Sequence, residues 1–210
     1  LLFNKFYKTA FALLLSFNLV AQENTLLIEE IIVTAEKRSE SLQDISQAIT
    51  ALSDSDLEEK NINSFVDLGS IVPGVTVAKN EGYKTVISIR GVGNETNQNA
   101  IAAPSVAFHM DGIFIASPFS LQTDFIDIDR IEVLRGPQGT LFGQNSTGGA
   151  VNVISKKPST DEFAGKADLT LGNYGLKKYR TSLNMPISDK VATRFSVSST
   201  ERNGFSNNVY

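Results

Sequence analysis

The chain has 210 residues, and 41% of them are hydrophobic, which suits a folded protein. It contains no cysteine, so the sequence excludes a disulfide framework and a thiolate zinc site. The 19 basic residues stand against 23 acidic ones, and this balance argues against a nucleic-acid partner. No apolar run reaches the about 20 residues that a membrane-spanning helix needs, so any membrane crossing must use β-strands.

Residues 1–21 have the pattern of a secretory signal peptide. Lys5 and Lys8 form a basic head, and an apolar run extends from Ala10 to Val20. Ala21 is the predicted cleavage position, so we expect an exported chain whose mature part begins at Gln22. A buried amphipathic helix is the alternative interpretation. Leu1, in place of methionine, leaves the true start of the chain open.

The N-terminal segment 22–39 contains a short β-branched run between charged residues, Ile31-Ile32-Val33-Thr34-Ala35. A run of this kind is a candidate for strand addition to the exposed sheet edge of a partner protein. An ordinary first strand of the following domain is the alternative.

Residues 40–158 are predicted to form an α+β domain, a small mixed β-sheet with short helices. Ser55-Asp56-Leu57-Glu58 fits a capping box that opens a helix, and a second helix is predicted from Ser64 to Ile71, before Pro73-Gly74. Strands are predicted at Val75–Ala78, Val86–Ile89, Ser105–Met110, Gly112–Ile115, around Ile131 and around Val151. Asp111-Gly112 is a hairpin turn signal. The polar segment 94–104, which contains Asn94, Asn97 and Asn99, is a predicted loop.

The most specific stretch of the chain runs from Arg130 to Pro158. Two apolar runs, Ile131–Leu134 and Ala150–Ile154, flank a glycine-rich segment, and this pattern predicts tight turns between two buried strands. We take as its motif residues Glu132, Gly136, Pro137, Gly139, Gly143, Gly148 and Gly149, together with the earlier Gly91. A glycine-rich turn in any β domain is the alternative.

The pattern changes after Pro158 to a strict alternation of apolar and polar residues. It is seen in Phe163–Leu171, in Tyr179–Ile187 and from Val191 onward, and it matches tilted membrane β-strands. A soluble antiparallel sheet with one wet face would alternate in the same way. Ser188-Asp189-Lys190 is a short turn of the periplasmic kind, whereas Gly172 to Gly175 would lie on the outer side.

The stretch from Arg130 to Pro158 closely resembles the end of the plug domain of TonB-dependent outer-membrane receptors. These bacterial β-barrels import scarce nutrients, most often iron–siderophore complexes. The resemblance covers nearly all of the chain and implies a location in the outer membrane. Since such barrels have about 22 strands, residues 159–210 are expected to be the first strands of an incomplete barrel, and the chain an N-terminal fragment.

The resemblance also implies roles for particular residues. It makes Ile31 to Ala35 the coupling box (TonB box), which pairs with the periplasmic end of TonB. Arginines at the positions of Arg90 and Arg135 pair with glutamates on the inner barrel wall in the related receptors, and local pairing with Glu132 or Asp129 is the alternative. The loop that carries the three asparagines would face the ligand. The implied partners are TonB, outer-membrane lipid and a metal–siderophore complex or similar small ligand.

Enzymatic interpretations find little support in the sequence, and we expect no enzyme activity, no cofactor and no bound metal. His109 is the only histidine and lies inside a predicted strand, where a packed side chain is expected. Two functions remain open: energised uptake by a receptor, and an exported β-rich binding module without transport activity. Iron–siderophore is the expected substrate class, and vitamin B12 and oligosaccharides remain alternatives.

Overall fold

In this computed structural model the described residues are 32–33, 40–41, 47–80, 84–93, 104–117, 120–121 and 124–206. The predicted signal peptide lies outside them, as do Ile31, Thr34 and Ala35 of the coupling box and Asn94, Asn97 and Asn99 of the predicted ligand loop.

The secondary structure of the described residues is mainly β. The strands, in chain order, are β1 (Ile32–Val33), β2 (Glu40–Ser41), β3 (Ile49–Ser53), β4 (Val75–Asn80), β5 (Lys84–Ile89), β6 (Val106–Met110), β7 (Ile113–Phe114), β8 (Ile128–Arg135), β9 (Gly149–Ser155), β10 (Ala164–Gly172), β11 (Leu176–Ser188) and β12 (Val191–Glu201). The helices are short: α1 (Asp54–Glu59), α2 (Leu68–Ile71), which follows a 3₁₀ turn at Phe65–Asp67, and α3 (Gly139–Phe142). No helix of the described residues is long and apolar enough to cross a membrane.

A five-stranded sheet organises the first part of the chain. Its strand order is β3-β8-β9-β6-β7, with β6 and β9 parallel and the other neighbours antiparallel. The two apolar runs that flank the glycine-rich segment are its central pair, β8 and β9, which confirms their prediction as buried strands. A separate antiparallel pair, β4 and β5, lies beside the sheet. The predicted mixed α+β domain is therefore confirmed.

One face of the five-stranded sheet supports the main hydrophobic core. Ile131 and Val133 of β8 and Val151 of β9 are fully buried there. Phe65 packs edge-on against the rings of Phe108 and Phe125, with centroids 5.7 and 4.7 Å away. The short helices close this face because α1 and α2 contribute the buried side chains of Leu57 and Leu68.

Local turn and cap signals were mostly correct. Asp111 and Gly112 have φ of 50° and 82°, as a type I′ hairpin turn requires. The first helix begins earlier than predicted, because Ser53 is its N-cap and Asp56, at the third helical position, completes the capping box. The predicted box from Ser55 to Glu58 was therefore wrong by two residues, and strand β3 was not predicted.

Strands β10, β11 and β12 form an antiparallel three-stranded sheet, as predicted. Its odd-numbered face exposes large apolar side chains, namely Phe163, Leu169, Leu171, Tyr179, Ile187, Val191, Phe195 and Val197. Its even-numbered face carries Lys166, Lys178, Arg180 and Arg194, all of which contact the α+β domain. A soluble sheet buries its apolar face and wets its polar one, so this sheet has the opposite polarity.

Candidate functional site

The glycine-rich segment folds into a closed loop between β8 and β9. The backbone N–H of Gly136 donates to the carbonyl of Gly148 at 3.1 Å, and that of Gln138 donates to the carbonyl of Ser146 at 2.9 Å. The single turn of α3, from Gly139, occupies the tip, and Gly143 ends it. Pro137 lies between the two closing contacts, so the motif residues shape one turn that is tied at its base.

Two adjacent glycines at the base of this loop are required by close packing. A Cβ on Gly149 would lie 2.2 Å from the carbonyl oxygen of Leu134, and one on Gly148 would lie 2.8 Å from the carbonyl oxygen of Val92. Real Cβ atoms do not approach other atoms so closely. The pair therefore lets the start of β9 pack against the end of β8 and against the turn that follows β5 and contains Gly91.

Glu132 is fully buried on the second face of the sheet and is satisfied locally. Its carboxylate accepts hydrogen bonds from Nε of Arg130 at 2.9 Å and from Nδ2 of Asn152 at 3.1 Å. Arg130 also donates to Asp129 at 2.6 Å. A buried carboxylate needs such partners, and here they are Arg130 and Asn152, to which the sequence analysis had given no role.

The two predicted contact arginines do not use these carboxylates. Arg90 lies in a tight turn after β5, with φ of 53° and an exposed side chain, and its backbone N–H donates to the carbonyl of Gly74 at 2.7 Å. Arg135 ends β8, and its backbone N–H donates to the carbonyl of Ala48 at 3.0 Å. Its Nε atom is buried and has no hydrogen-bond acceptor among the described residues. Pairing of either arginine with a barrel glutamate stays a prediction.

Two residues of the predicted coupling box, Ile32 and Val33, form strand β1. They pair antiparallel with Ser41 and Glu40 of β2, respectively. The side chain of Val33 is fully buried, whereas Ile32 is half exposed. Ile32 also lines a groove together with Pro158, Ser159 and Thr160, which lead into β10.

The strongest contact between the α+β domain and the three-stranded sheet joins Asp127 to Arg194. Nε and Nη2 of Arg194 each donate to one carboxylate oxygen of Asp127 at 2.5 Å, and the hydroxyl of Ser196 donates to the same carboxylate at 2.5 Å. Both charged side chains are largely shielded from solvent. Bidentate pairs of this kind combine strength with a fixed geometry.

Three further contacts join a cation of the three-stranded sheet to an acceptor on the α+β domain. Lys166 of β10 forms an ion pair with Glu58. Lys178 of β11 reaches Asp124 at 2.8 Å. The guanidinium of Arg180 donates to the side-chain oxygen of Asn63 at 3.0 Å. In each of these contacts the cation lies on the three-stranded sheet and the acceptor on the α+β domain.

The charge environment of Asp127 favours its ionised form. Burial alone would raise the pKa of this carboxyl, but hydrogen bonds from Arg194 and Ser196, with the positive charges of Arg194 and Lys156, outweigh burial. The pKa of Asp127 is therefore lowered from its ordinary value of 3.8. At neutral pH the residue is a fixed negative charge that faces a fixed positive one.

Polar contacts do not fill the whole contact region. A cavity of about 260 Å³ lies between the two sheets, and its lining includes Asn63, Asp127, Lys166, Asp168 and Arg180. A polar cavity of this size has room for several water molecules. The contact between the α+β domain and the three-stranded sheet is therefore not fully packed.

Asn184 of β11 forms hydrogen bonds with the segment that connects the α+β domain to β10. Its amide group donates to the carbonyls of Ser159 and Glu162 at 2.9 and 2.7 Å, and its side-chain oxygen accepts from the backbone N–H of Ser159 at 2.9 Å. The residue is buried, so these bonds hold the entry into β10 against β11. No sequence motif marked this residue, since its partners are backbone atoms more than 20 positions away.

A protein-family model described as "TonB-dependent Receptor Plug Domain" matches residues 41–150, about half of the chain. The chain therefore belongs to the TonB-dependent receptor plug family, and the α+β domain is its plug. The matched residues include strand β3, strand β8 and the glycine-rich loop, and they end at the start of β9.

Curated relatives agree with this assignment. The iron-regulated outer membrane virulence protein of Vibrio cholerae is 32% identical over 165 residues, which are 75% of this chain and 24% of that protein. The pesticin receptor of Yersinia pestis is 30% identical over 166 residues, 76% of this chain and 23% of that receptor. The vitamin B12 transporter BtuB of Vibrio vulnificus is 29% identical over 140 residues, 64% of this chain and 22% of that transporter. The chain thus spans about a quarter of the length of these relatives.

A solved structure supports the fold. The ferripyoverdine receptor FpvA of Pseudomonas aeruginosa matches with a TM-score of 0.69 at 24% identity, over 80% of this chain and 22% of that one. The match includes most of the described residues, so the fold predicted from the sequence is confirmed.

Proposed function

We propose that this chain is the plug and the first wall strands of an outer-membrane receptor that imports an iron–siderophore complex with energy delivered through TonB. The observation that carries the proposal is the inverted polarity of the three-stranded sheet. Its cationic face is docked on the α+β domain, while Phe195, Val197 and similar side chains face outward. Strands of a lipid-embedded barrel that encloses a plug have this arrangement.

The same observation weighs against an exported binding module without transport activity. Such a module would leave an apolar sheet face in water. A large exposed apolar patch marks an interaction surface or an aggregation hazard. Lipid is the occupant that suits a face made of alternate residues on three consecutive strands.

The coupling segment supports the energised mechanism. Strand β1 is short and, within the described part of the chain, pairs with β2 alone, so a strand of TonB would add to its second edge through main-chain hydrogen bonds. Pulling on a segment that leads directly into the plug would then remodel the plug beneath a bound ligand. Ile31, Thr34 and Ala35 complete the proposed box.

The buried Nε of Arg135 supports a plug that is held by a surrounding wall. A buried guanidinium nitrogen without an acceptor is costly, and a wall carboxylate would satisfy it. Arg90, exposed at a neighbouring turn, would take a similar partner. Both assignments remain proposals for the complete receptor.

Iron–siderophore is proposed as the substrate because one of the relatives is named as an iron-regulated outer membrane protein, and the similar structure of FpvA holds an iron–pyoverdine complex. The test is uptake of radioactive iron, supplied as defined chelates, by cells that carry the receptor gene as their sole such receptor. We expect uptake that requires both the gene and TonB. Uptake of labelled vitamin B12 instead of iron would transfer the proposal to the second substrate.

A further inference from the structure

We propose that the folded chain has a spontaneous modification site at Asn203-Gly204, where the asparagine side chain converts to aspartate and isoaspartate without an enzyme. The chain contains one Asn-Gly pair and one Asp-Gly pair, and both dipeptides are able to form a cyclic succinimide. The structure distinguishes the two pairs, because it fixes the side chain of Asp111 and leaves that of Asn203 accessible. The proposal does not depend on the proposed function.

The reaction needs an asparagine that is followed by a residue without a side chain. The backbone nitrogen of Gly204 forms a bond to Cγ of Asn203, and the side-chain nitrogen leaves as ammonia with the proton from Gly204. Water then opens the cyclic imide. Opening at Cγ gives aspartate, whereas opening at the former backbone carbonyl gives isoaspartate, in which the main chain runs through Cβ and Cγ. Glycine favours ring closure because it has no Cβ to hinder its nitrogen and because its backbone adopts many conformations.

Asn203 and Gly204 lie in the irregular segment that follows β12, and both residues are exposed. Among the described residues, no backbone carbonyl accepts a hydrogen bond from the N–H of Gly204, so this nitrogen is available without the loss of a backbone bond. The side-chain amide of Asn203 packs over the backbone of Gly175, where an added Cβ would lie 2.7 Å from Nδ2. It makes no hydrogen bond with another described residue. Both reacting groups are therefore accessible in the folded state.

Asp111-Gly112 has the same kind of sequence but a different environment. The two carboxylate oxygens of Asp111 accept hydrogen bonds from the backbone N–H and from the hydroxyl of Ser155, both at 2.8 Å. The backbone N–H of Asp111 also donates to the carbonyl of Val153 at 2.9 Å. Ring closure at this position would have to break both side-chain bonds, and the oxygen of an ionised carboxylate is a poor leaving group. We therefore expect Asp111 to stay unmodified.

Modification of Asn203 would change the packing at this end of the sheet. The N–H of Asn203 donates to the carbonyl of Tyr174 at 2.9 Å, and the ring of Phe205 lies against that of Tyr174, with centroids 4.9 Å apart. Isoaspartate adds one bond to the main chain between these two contacts, so the two cannot both keep their geometry. Either product also adds a negative charge at the position after Arg202, whose guanidinium carbon lies 4.4 Å from the centroid of Phe205. The age of the molecule would therefore alter the contacts that join the end of β12 to the turn between β10 and β11.

The test is ageing of the complete receptor, folded in detergent at mildly alkaline pH, followed by peptide mass spectrometry. We expect the peptide that contains Asn203 to gain the mass that replaces an amide with an acid, and to separate into an aspartate form and an isoaspartate form. Gly204→Ala is the matched control, because its Cβ would lie 3.6 Å from the carbonyl oxygen of Ser206, which is an ordinary contact. In this variant the modification should be lost over the same period, since the added methyl group hinders the attacking nitrogen.

Three outcomes would overturn the proposal. The first is an unmodified Asn203 in the folded receptor whose peptide is modified only after unfolding, because the fold would then protect the site. The second is equal modification of the wild type and of Gly204→Ala, which would mean that the nitrogen of Gly204 does not close a ring. The third is modification of Asp111 as fast as that of Asn203, because the hydrogen bonds from Ser155 would then give no protection. Hydrogen exchange of the aged receptor measures the consequence, and we expect faster exchange in residues 202–205 of the wild type but not of Gly204→Ala.

Discussion

Arg194 and Asp127 form a bidentate ion pair, with two N···O distances of 2.5 Å, between residues 67 positions apart in the chain. The pair joins the last strand of the three-stranded sheet to the α+β domain just before β8. Asp127 has φ of 54°, so the backbone accepts an unusual conformation where the carboxylate meets the sheet. Ser196, two residues beyond Arg194 on the same face, donates to the same carboxylate.

We expect Asp127→Asn and Arg194→Gln to lower the free energy of unfolding non-additively. Each change removes a charge-assisted bidentate contact, and a double-mutant cycle should give a coupling energy of about 2 kcal/mol. Denaturant titration of the receptor in micelles measures the free energy of unfolding of each variant, from which the coupling energy is calculated. Asp189→Asn, in the exposed turn between β11 and β12, is the control and should have little effect. A coupling energy near zero would show that the pair adds nothing to docking.

The ion pair should persist in mild acid. The pKa of Asp127 is lowered by its partners, so its contribution to stability is complete above the ordinary aspartate pKa of 3.8 and is lost as the pH falls through the lower folded value. The stability difference between the wild type and Asp127→Asn should stay constant above about pH 5 and shrink toward zero at much lower pH. A difference that disappears between pH 7 and pH 5 would mean that another group controls this contact.

Two glycines with different surroundings test the close packing at the glycine-rich loop. Gly149→Ala should destabilise the plug by at least about 3 kcal/mol, since its Cβ would lie 2.2 Å from the carbonyl oxygen of Leu134 in a strand that cannot easily move. Gly139→Ala is the control, because nothing lies within 4 Å of its Cβ position. Thermal unfolding of the two variants compares them. Similar melting temperatures would contradict the packing argument.

The sequence predicted local features well because their causes are local. The apolar runs of β8 and β9 and the Asp111-Gly112 turn each depend on neighbouring residues, and each was confirmed. The helix cap was misplaced because Ser53 and Ser55 both precede an acidic residue by three positions, and only tertiary structure chose Ser53. Strand β3 was missed because its sequence, ITALS, is short and does not alternate strictly between apolar and polar residues.

The docking contacts could not be predicted because they depend on residues far apart in sequence. Alternation showed that β10 to β12 have two unlike faces, but it did not show which face would be covered. Only the contacts of Lys166, Lys178 and Arg194 with the α+β domain identified the polar face as the inner one. The role of Arg130 was also not predicted, because Arg130 acts by donating a hydrogen bond to Glu132, and the sequence did not show that Glu132 is buried.

The outward face of β12 should not accept a charge. Val197→Arg places a guanidinium in the apolar band and should cost about 2–4 kcal/mol at mid-membrane, lowering the amount of receptor that inserts. Thr200→Arg, on the opposite face of the same strand, should cost much less. Outer-membrane fractionation and folding into vesicles measure how much of each variant inserts. Equal insertion of both variants would contradict a lipid-facing odd-numbered face.

The coupling strand provides the sharpest test of energised transport. Val33→Pro removes a backbone donor and fixes φ in β1, so main-chain pairing with TonB should fail while the ligand-binding side is unchanged. We expect normal ligand binding at the cell surface and loss of uptake. Val33→Ile keeps both the donor and the β-branched side chain, and it should transport as the wild type does. The two activities are measured on the same cells, with binding recorded in de-energised cells and accumulation in energised ones. Equal accumulation by the proline and isoleucine variants would show that this segment does not couple the receptor to its energy source.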